Sequence, residues 1–485
     1  MKIWFVSSEI VPFASTGGLG DVANALPKAL AAAGHEVYRV MPLYRKVYEG
    51  PFEIEDSGIE LEIPMGDSTK TADIWQLKEE NGLTTYFVRY DEYFDRSQLY
   101  CLSHRDYEDN FARFVLFQKA AVALIDTLGL KPDIVHCNDW QAGLVPLFLK
   151  NGVHGQGRVS REKTVFTIHN LAYQGVYPFN QFAKYANLNP HTSFRLDTCE
   201  FYGQVNSLKA GITQSDEVTT VSPTYAEEIK TEEFGCGMEG ILQDHSHKLC
   251  GLLNGVDYSV WDPAIDDYLV EKYDVDSVDK KMASKKHLLK LAGFGEGSED
   301  VPMLGVVSRL ADQKGIDLIE EIMPELMKYD VRFFLLGSGH SHYEHKCQEW
   351  MDQYPDKFFA HIGFSQELAH QVEAGSDLFL MPSKFEPCGL NQMYSQKYGT
   401  LPVVHAVGGL NDTVVDYMVD PENGNGFKFT GHSAASFMNS IKRAISLYSR
   451  KEEWTELVKR AMQIDNSVES MADHYVALYE QALTK

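Results

Sequence analysis

The chain has 485 residues, enough for two to four domains at roughly 100–200 residues each. Its composition (44% hydrophobic, 23% charged, 12% aromatic) is that of a globular protein, and 37 Gly and 18 Pro exclude a low-complexity chain. A formal charge of −25 disfavours general binding to phosphodiester backbones, though a small phosphate-bearing ligand needs only a few local cations.

The first apolar run, Ile3-Trp4-Phe5-Val6, is too short for a signal-peptide core and reads as a buried strand. A Gly-containing loop follows. Leu19, Val22, Leu26, Leu30 and Ala33 then recur at helical spacing until Gly34, with Pro27 predicting a kink or a late start. Val37–Met41 completes a βαβ unit. Residues 51–90 alternate instead, around Gly66 and Asn81-Gly82, and predict an antiparallel insertion. Further strands are predicted at Asp133–Cys137, Thr164–His169 and Val218–Val221.

A second strand-and-helix series starts at Met303–Val307. It continues through a helix at Gly315–Tyr329 and strands at Arg332–Leu336, Phe358–Ile362, Leu378–Met381 and Val403–His405. The expected fold class is therefore α/β, with two doubly wound, Rossmann-like domains facing across a cleft. The expected boundaries are an N-terminal domain over 1–245 and a second over 255–465. A helix over 466–485 is expected to cross back to the first domain. No stretch approaches the ~18 apolar residues of a membrane helix. Seven cysteines, an odd number with no C-x-x-C pair, point to free thiols and a cytoplasmic location.

Chemistry-bearing residues cluster just past the predicted strands, where open sheets bind ligands. Gly17 and Gly18 open the first helix, where backbone N–H groups and the helix N-terminus favour an anion. The loop lacks both the third glycine of a dinucleotide fingerprint and the Gly-Lys-Ser/Thr of a P-loop. Arg309 and Lys314 flank the first turn of the second series and would suit a diphosphate. Glu386 lies between a strand end and a helix start, and Gly408-Gly409 repeats the glycine-rich design. Taken singly, each feature also fits a plain role as a turn, a solvated cation or a cap. Asp274-Val275-Asp276 and the group His340, His342, Glu344 and His345 fit polar surface segments better than metal sites, so no metal and no cofactor are expected.

Taken together, the motifs are specific. They include Thr16-Gly17-Gly18-Leu19-Gly20-Asp21, His136-Cys137-Asn138-Asp139-Trp140, Thr167-Ile168-His169-Asn170-Leu171-Ala172-Tyr173-Gln174-Gly175 and Leu253-Asn254-Gly255. They continue with Ser308-Arg309-Leu310, Gln313-Lys314-Gly315 and Phe385-Glu386-Pro387-Cys388-Gly389-Leu390. The sequence resembles the bacterial glycogen synthases and plant starch synthases up to about residue 465. That resemblance implies a GT-B glycosyltransferase moving glucose from ADP-glucose to the non-reducing end of an α-1,4-glucan with retention of configuration. Its implied partners are a nucleotide sugar and a glucan, without nucleic acid or membrane.

The resemblance also implies residue roles. Arg309 and Lys314 bind the leaving diphosphate, and Glu386 holds donor-sugar hydroxyls. Asp139, His169 and Asn170 line the sugar pocket, while Asp21 and Asn254 lie near the donor glucose. Phe364 stacks on the base, and the donor loops carry Gly17, Gly18, Cys388, Gly389, Leu390, Gly408 and Gly409. Four departures stand out: Ser15 replaces the usual Lys, Val407 replaces a Thr, His405-Ala406 replaces a basic or polar pair, and the tail near Asp465-Asn466 lacks an aromatic. They keep open a donor such as UDP-glucose, or a catalytically silent glucan-binding or regulatory homologue.

Overall fold

Ile3, Trp4, Phe5 and Val6 are wholly buried, and the strand they form (β1, Lys2–Val6) is the centre of a nine-stranded sheet. The structure is a computed structural model that describes residues 1–485 apart from 80, 103, 104, 156, 159 and 160. The other strands of this sheet are β2 (Glu36–Pro42), β3 (Glu55–Met65), β4 (Ser68–Lys78), β5 (Thr84–Arg89), β6 (Ile134–Asn138), β7 (Lys163–Ile168), β8 (Glu217–Thr220) and β9 (Leu249–Gly251). Their spatial order is β9-β8-β7-β6-β1-β2-β5-β4-β3. Ile3 lies beside Val37 on one side and Ile134 on the other. The residues 51–90 do form antiparallel pairs, β3 with β4 and β4 with β5. They are not a separate layer, because β5 pairs in parallel with β2 and extends the main sheet.

The chain divides into two compact units, residues 1–255 with 468–485, and residues 256–467. The second unit holds β10 (Met303–Val307), β11 (Arg332–Gly337), β12 (Phe358–Ile362), β13 (Leu378–Met381), β14 (Leu401–His405) and β15 (Phe427–Phe429). They form one parallel sheet in the order β12-β11-β10-β13-β14-β15. Successive side chains along a strand point to opposite faces, and each face here is covered. Leu304, Phe333, Leu335, Leu378, Leu380 and Val403 enter one apolar cluster, whereas Met303, Phe334, Leu336, Phe379, Met381 and Val404 enter the other.

The first helix spans Gly18–Ala32 and continues past Pro27, with no late start. Burial of Leu19, Val22, Leu26 and Leu30 on one face offsets the hydrogen bond that a proline costs. The helix Val468–Thr484 packs on this first helix. No helix among the described residues is long and apolar enough to cross a membrane, and no disulfide joins the described cysteines.

Under the last helix, His136 is wholly buried between two hydroxyls. Its Nδ1 lies 2.7 Å from the Tyr479 hydroxyl and its Nε2 2.7 Å from Thr167 Oγ1. Burial, and then the nearby His169, push its pKa down to about 3, so the ring is neutral and uses one nitrogen as donor and one as acceptor. Tyr479→Phe removes one partner and leaves a buried ring nitrogen unsatisfied. We expect a loss of about 1–3 kcal/mol, read as a lowered melting temperature. Glu480→Ala, on the exposed face of the same helix, should leave that temperature unchanged.

Candidate active site

In the first unit the functional candidates stand at the C-terminal ends of β1, β6 and β7. Beyond β1, the Glu9 carboxylate is buried and accepts from Thr16 Oγ1 at 2.7 Å, from the Tyr100 hydroxyl at 2.6 Å, and from the Thr16 N–H. One donor of the glycine-rich loop is therefore committed to a carboxylate of the chain itself. Gly17 is the N-cap of the first helix, and Gly18 and Asp21 lie in its first turn. Asp21 is reached by solvent, yet its surroundings raise its pKa to about 6, through burial first and the Glu9 charge second.

Asp139 and His169 are brought together by the pairing of β6 with β7. Asp139 Oδ1 accepts the His169 backbone N–H at 2.8 Å, and the Asn170 N–H also donates to this carboxylate. Burial outweighs these donors, and the Glu9 charge adds to it, so the Asp139 pKa rises to about 7. The residue has φ of +55°, a left-handed conformation that is strained outside glycine and is held here by those bonds. The His169 ring donates through Nε2 to Asn138 Oδ1 at 3.0 Å, and Asn138 in turn donates to the Val6 carbonyl at 3.1 Å. Burial lowers the His169 pKa to about 3, so this ring too is neutral. Asn170 uses its own Oδ1 to accept from Ala172 N–H at 3.0 Å. Asn254 is buried, and its Oδ1 has no hydrogen-bond partner among the described residues.

In the second unit Lys314 and Glu386 meet. Lys314 Nζ donates to Glu386 Oε2 at 2.6 Å, and Ser383 Oγ donates to the same oxygen at 3.1 Å. Arg309 is exposed just past β10, and its guanidinium donates to Gln313 Oε1 at 3.4 Å. The Glu386 loop fits tightly against the second glycine pair. A Cβ on Gly408 would stand 2.0 Å from the Glu386 carbonyl oxygen, and one on Gly409 would stand 2.2 Å from that of Cys388. Gly389 and Leu390 follow at the start of the next helix, with Gly389 at φ of +72°. Phe364 stands apart on the loop after β12 and is 89% exposed.

Val407 departs from its expected role. Its side chain is buried in an apolar cluster with Val404, Leu410 and Val414, so a hydroxyl there would be buried rather than offered to a ligand. The His340–His345 group is also committed elsewhere. His342 pairs with Glu320 at 2.9 Å, His345 with the Ser341 carbonyl at 2.6 Å, and Glu344 accepts the Gly339 N–H. Among the described residues, no three His, Cys, Asp or Glu side chains converge as a metal site would require.

Comparison with known proteins agrees along the whole chain. The starch synthase catalytic domain matches residues 2–244, and glycosyl transferases group 1 matches residues 294–461. Glycogen synthase of Koribacter versatilis is 42% identical over 99% of this chain and 98% of its own. That of Desulforudis audaxviator is 43% identical over 100% and 97%.

The chain belongs to the glycogen synthase and starch synthase family.

It is a glycosyltransferase, a glucan glucosyltransferase. The catalytic domain of starch synthase IV from Arabidopsis thaliana, solved with ADP and acarbose, superposes with a TM-score of 0.90 at 33% identity, over 100% of this chain and 99% of that one. Sucrose-phosphate synthase from Thermosynechococcus elongatus (TM-score 0.62, 17% identity) shares the fold, and the two Rossmann-like units are those of the GT-B class. The motif reading of this glycogen synthase relative gave no role to Glu9, Asn138, Gln313 or Ser383, although Asn138 and Gln313 lie inside its motifs. For Glu9 and Ser383 the signal was their place just past strands β1 and β13.

The raised Asp139 pKa has a thermodynamic sign. A carboxyl whose folded pKa is near 7 and unfolded pKa near 4 supplies stability below pH 4 that is lost as pH rises through 7. Asp139→Asn removes that loss while keeping an acceptor for His169 N–H. The melting temperature of the variant minus that of the parent should therefore grow between pH 5 and pH 7.5.

Proposed function

We propose that this chain transfers glucose from ADP-glucose to the 4-hydroxyl at the non-reducing end of an α-1,4-glucan, with retention, in the cytoplasm. The observation that carries this reading is the Lys314–Glu386 pair, a cation and a carboxylate 2.6 Å apart beside glycine-rich backbone. A sugar diphosphate is the ligand class that needs both, an anionic leaving group for the cation and hydroxyls for the carboxylate. The starch synthase that superposes on the full chain was solved with ADP, which supports adenine as the donor base.

In this reading the bond from glucose C1 to the β-phosphate oxygen breaks. A bond from C1 to the acceptor O4 forms on the same face. The O4 proton passes to a phosphate oxygen of the departing ADP. Arg309 and Lys314 stabilise the charge that grows on the diphosphate, and the N–H groups around Gly17-Gly18 and Gly408-Gly409 support them. Glu386 and the neutral His169 hold glucose hydroxyls, assisted by Asp139, Asn170, Asp21 and Asn254. The unpartnered Asn254 Oδ1 is an acceptor ready for one of them. Phe364 and the Cys388-Gly389-Leu390 turn complete the donor side.

The test is ADP or UDP release from each sugar nucleotide, with and without glycogen. Glucan-dependent release from ADP-glucose, persisting in EDTA, is expected, and a preference for UDP-glucose would overturn the assignment of the base. Glu386→Ala and Arg309→Ala should each lower turnover by at least ~100-fold. No release from any donor would favour a silent glucan-binding protein.

Ser15 gives a separate expectation. Its short side chain donates to the Gly17 carbonyl at 3.0 Å, where relatives carry a lysine. Ser15→Lys should tighten ADP-glucose binding roughly 5- to 30-fold at low ionic strength, with the gain shrinking as salt is added. Equal affinity by calorimetry at low salt would mean that Ser15 does not mark a missing phosphate contact.

A further inference from the structure

The loop that carries Glu386 is gripped by its carbonyl oxygens. Gln313 Nε2 donates to the Phe385 carbonyl at 2.7 Å, and Gly409 N–H donates to those of Glu386 and Pro387 at 3.3 and 3.1 Å. The two carbonyls that precede them are held by imidazoles. His405 Nδ1 lies 2.8 Å from the Ser383 carbonyl oxygen, and His432 Nε2 lies 3.1 Å from that of Pro382. A carbonyl can only accept, so both ring nitrogens are donors. The two rings lie 5.2 Å apart, and His405 also stacks on Phe429 at 5.2 Å.

We propose that His405 and His432 are positioning residues that set the place of Glu386 by fixing the two carbonyls at the root of its loop. This rests on the reading of Glu386 as the group that meets the donor glucose. Residue 405 ends β14, and three residues later Gly408 closes on the Glu386 carbonyl, so this one strand end reaches the loop twice. The side chain of Ser383, whose carbonyl His405 holds, donates to Glu386 Oε2. A shift of that peptide therefore moves both the carboxylate's backbone and one of its hydrogen bonds. His405 is 7% exposed, and burial, more than the neighbouring His432, lowers its pKa. Near neutral pH it is a single-proton donor, aimed by the packing of its ring. The His405-Ala406 departure from the family pattern thus places a directional donor where relatives carry a basic or polar pair.

The test pairs loss with restoration. His405→Phe and His432→Phe keep a ring and remove the donor; His405→Asn and His432→Gln return an amide N–H near the position of Nδ1 and Nε2 respectively. Three quantities are measured in the full chain: turnover, ADP affinity by calorimetry, and hydrogen exchange at the Lys384 and Gly409 amides, which bond to Gln313 and Glu386. Each Phe variant should lose about tenfold in turnover, as expected when a reacting group is misplaced by a fraction of an ångström. Its ADP affinity should stay within about threefold, because ADP lacks the sugar that Glu386 meets. Exchange at the two amides should quicken, and the Asn and Gln variants should recover most of both losses. Parental turnover and exchange in the double Phe variant would overturn the proposal. So would Asn and Gln variants as impaired as the Phe ones, since packing rather than donation would then matter. If the parent protein itself transfers no glucose, the functional reading fails, and the exchange data still decide whether the imidazoles hold the loop.

Discussion

A parallel sheet covered on both faces leaves its polar chemistry one outlet, the edge where the strands end. The six-stranded sheet and the parallel part of the nine-stranded sheet share this constraint. The strand interiors are mostly Ile, Val, Leu and Phe, with buried exceptions such as Arg39, His136 and Thr167, and the site candidates gather where the strands stop. Ser7, Ser8 and Glu9 follow β1, Asn138 ends β6 with Asp139 behind it, His169 follows β7, and Ser383 and Glu386 follow β13. All of these are buried, so each needs a partner, and neighbouring strand ends supply many of them. Asn138 reaches β1 and His169 at once, and the Gly408-Gly409 turn after β14 closes on the carbonyls of the Glu386 loop. The site candidates are thus coupled to the same hydrogen bonds that finish the sheet.

The electrostatics of the first unit are balanced by opposition. His136 and His169 are held neutral by burial and resist protonation, whereas Asp21 and Asp139 are raised and retain protons. Between about pH 4 and pH 6 the first pair makes the folded state poorer in protons than the unfolded chain, and the second pair makes it richer. The two effects oppose each other in slope. The second unit pairs Lys314 with Glu386 and Lys285 with Asp377 directly.

Much of this was legible in the sequence because period and punctuation agreed. The strands at Met303–Val307, Phe358–Ile362 and Leu378–Met381 coincide with their apolar runs. The Asn81-Gly82 turn stands where its dipeptide predicts, with Gly82 at φ of +85°. Three-residue strands such as Leu249–Gly251 and Phe427–Phe429 were not legible, since they are too short for alternation to register. Proline did not delay the helix start at position 27, because tertiary burial outweighed its local cost. Motif spacing brought out Lys314 and Glu386 but not Ser383 or Glu9, whose importance lies in partners many residues away. Val407 was the reverse case, a departure visible in the sequence whose side chain the fold turns into the core.

The second unit is inserted into the first. Val256 N–H bonds to the Asn466 carbonyl at 2.7 Å where the chain leaves and returns, and only then does the helix Val468–Thr484 reach the first unit. On the ribosome that helix emerges roughly 200 residues after the sheet it covers, about 10–40 s at ordinary translation rates. Throughout that interval the part of the first helix that meets the last one, and the buried face around His136, lack that cover. Closure of the first unit waits for that helix, and comes at the moment when Tyr479 meets His136.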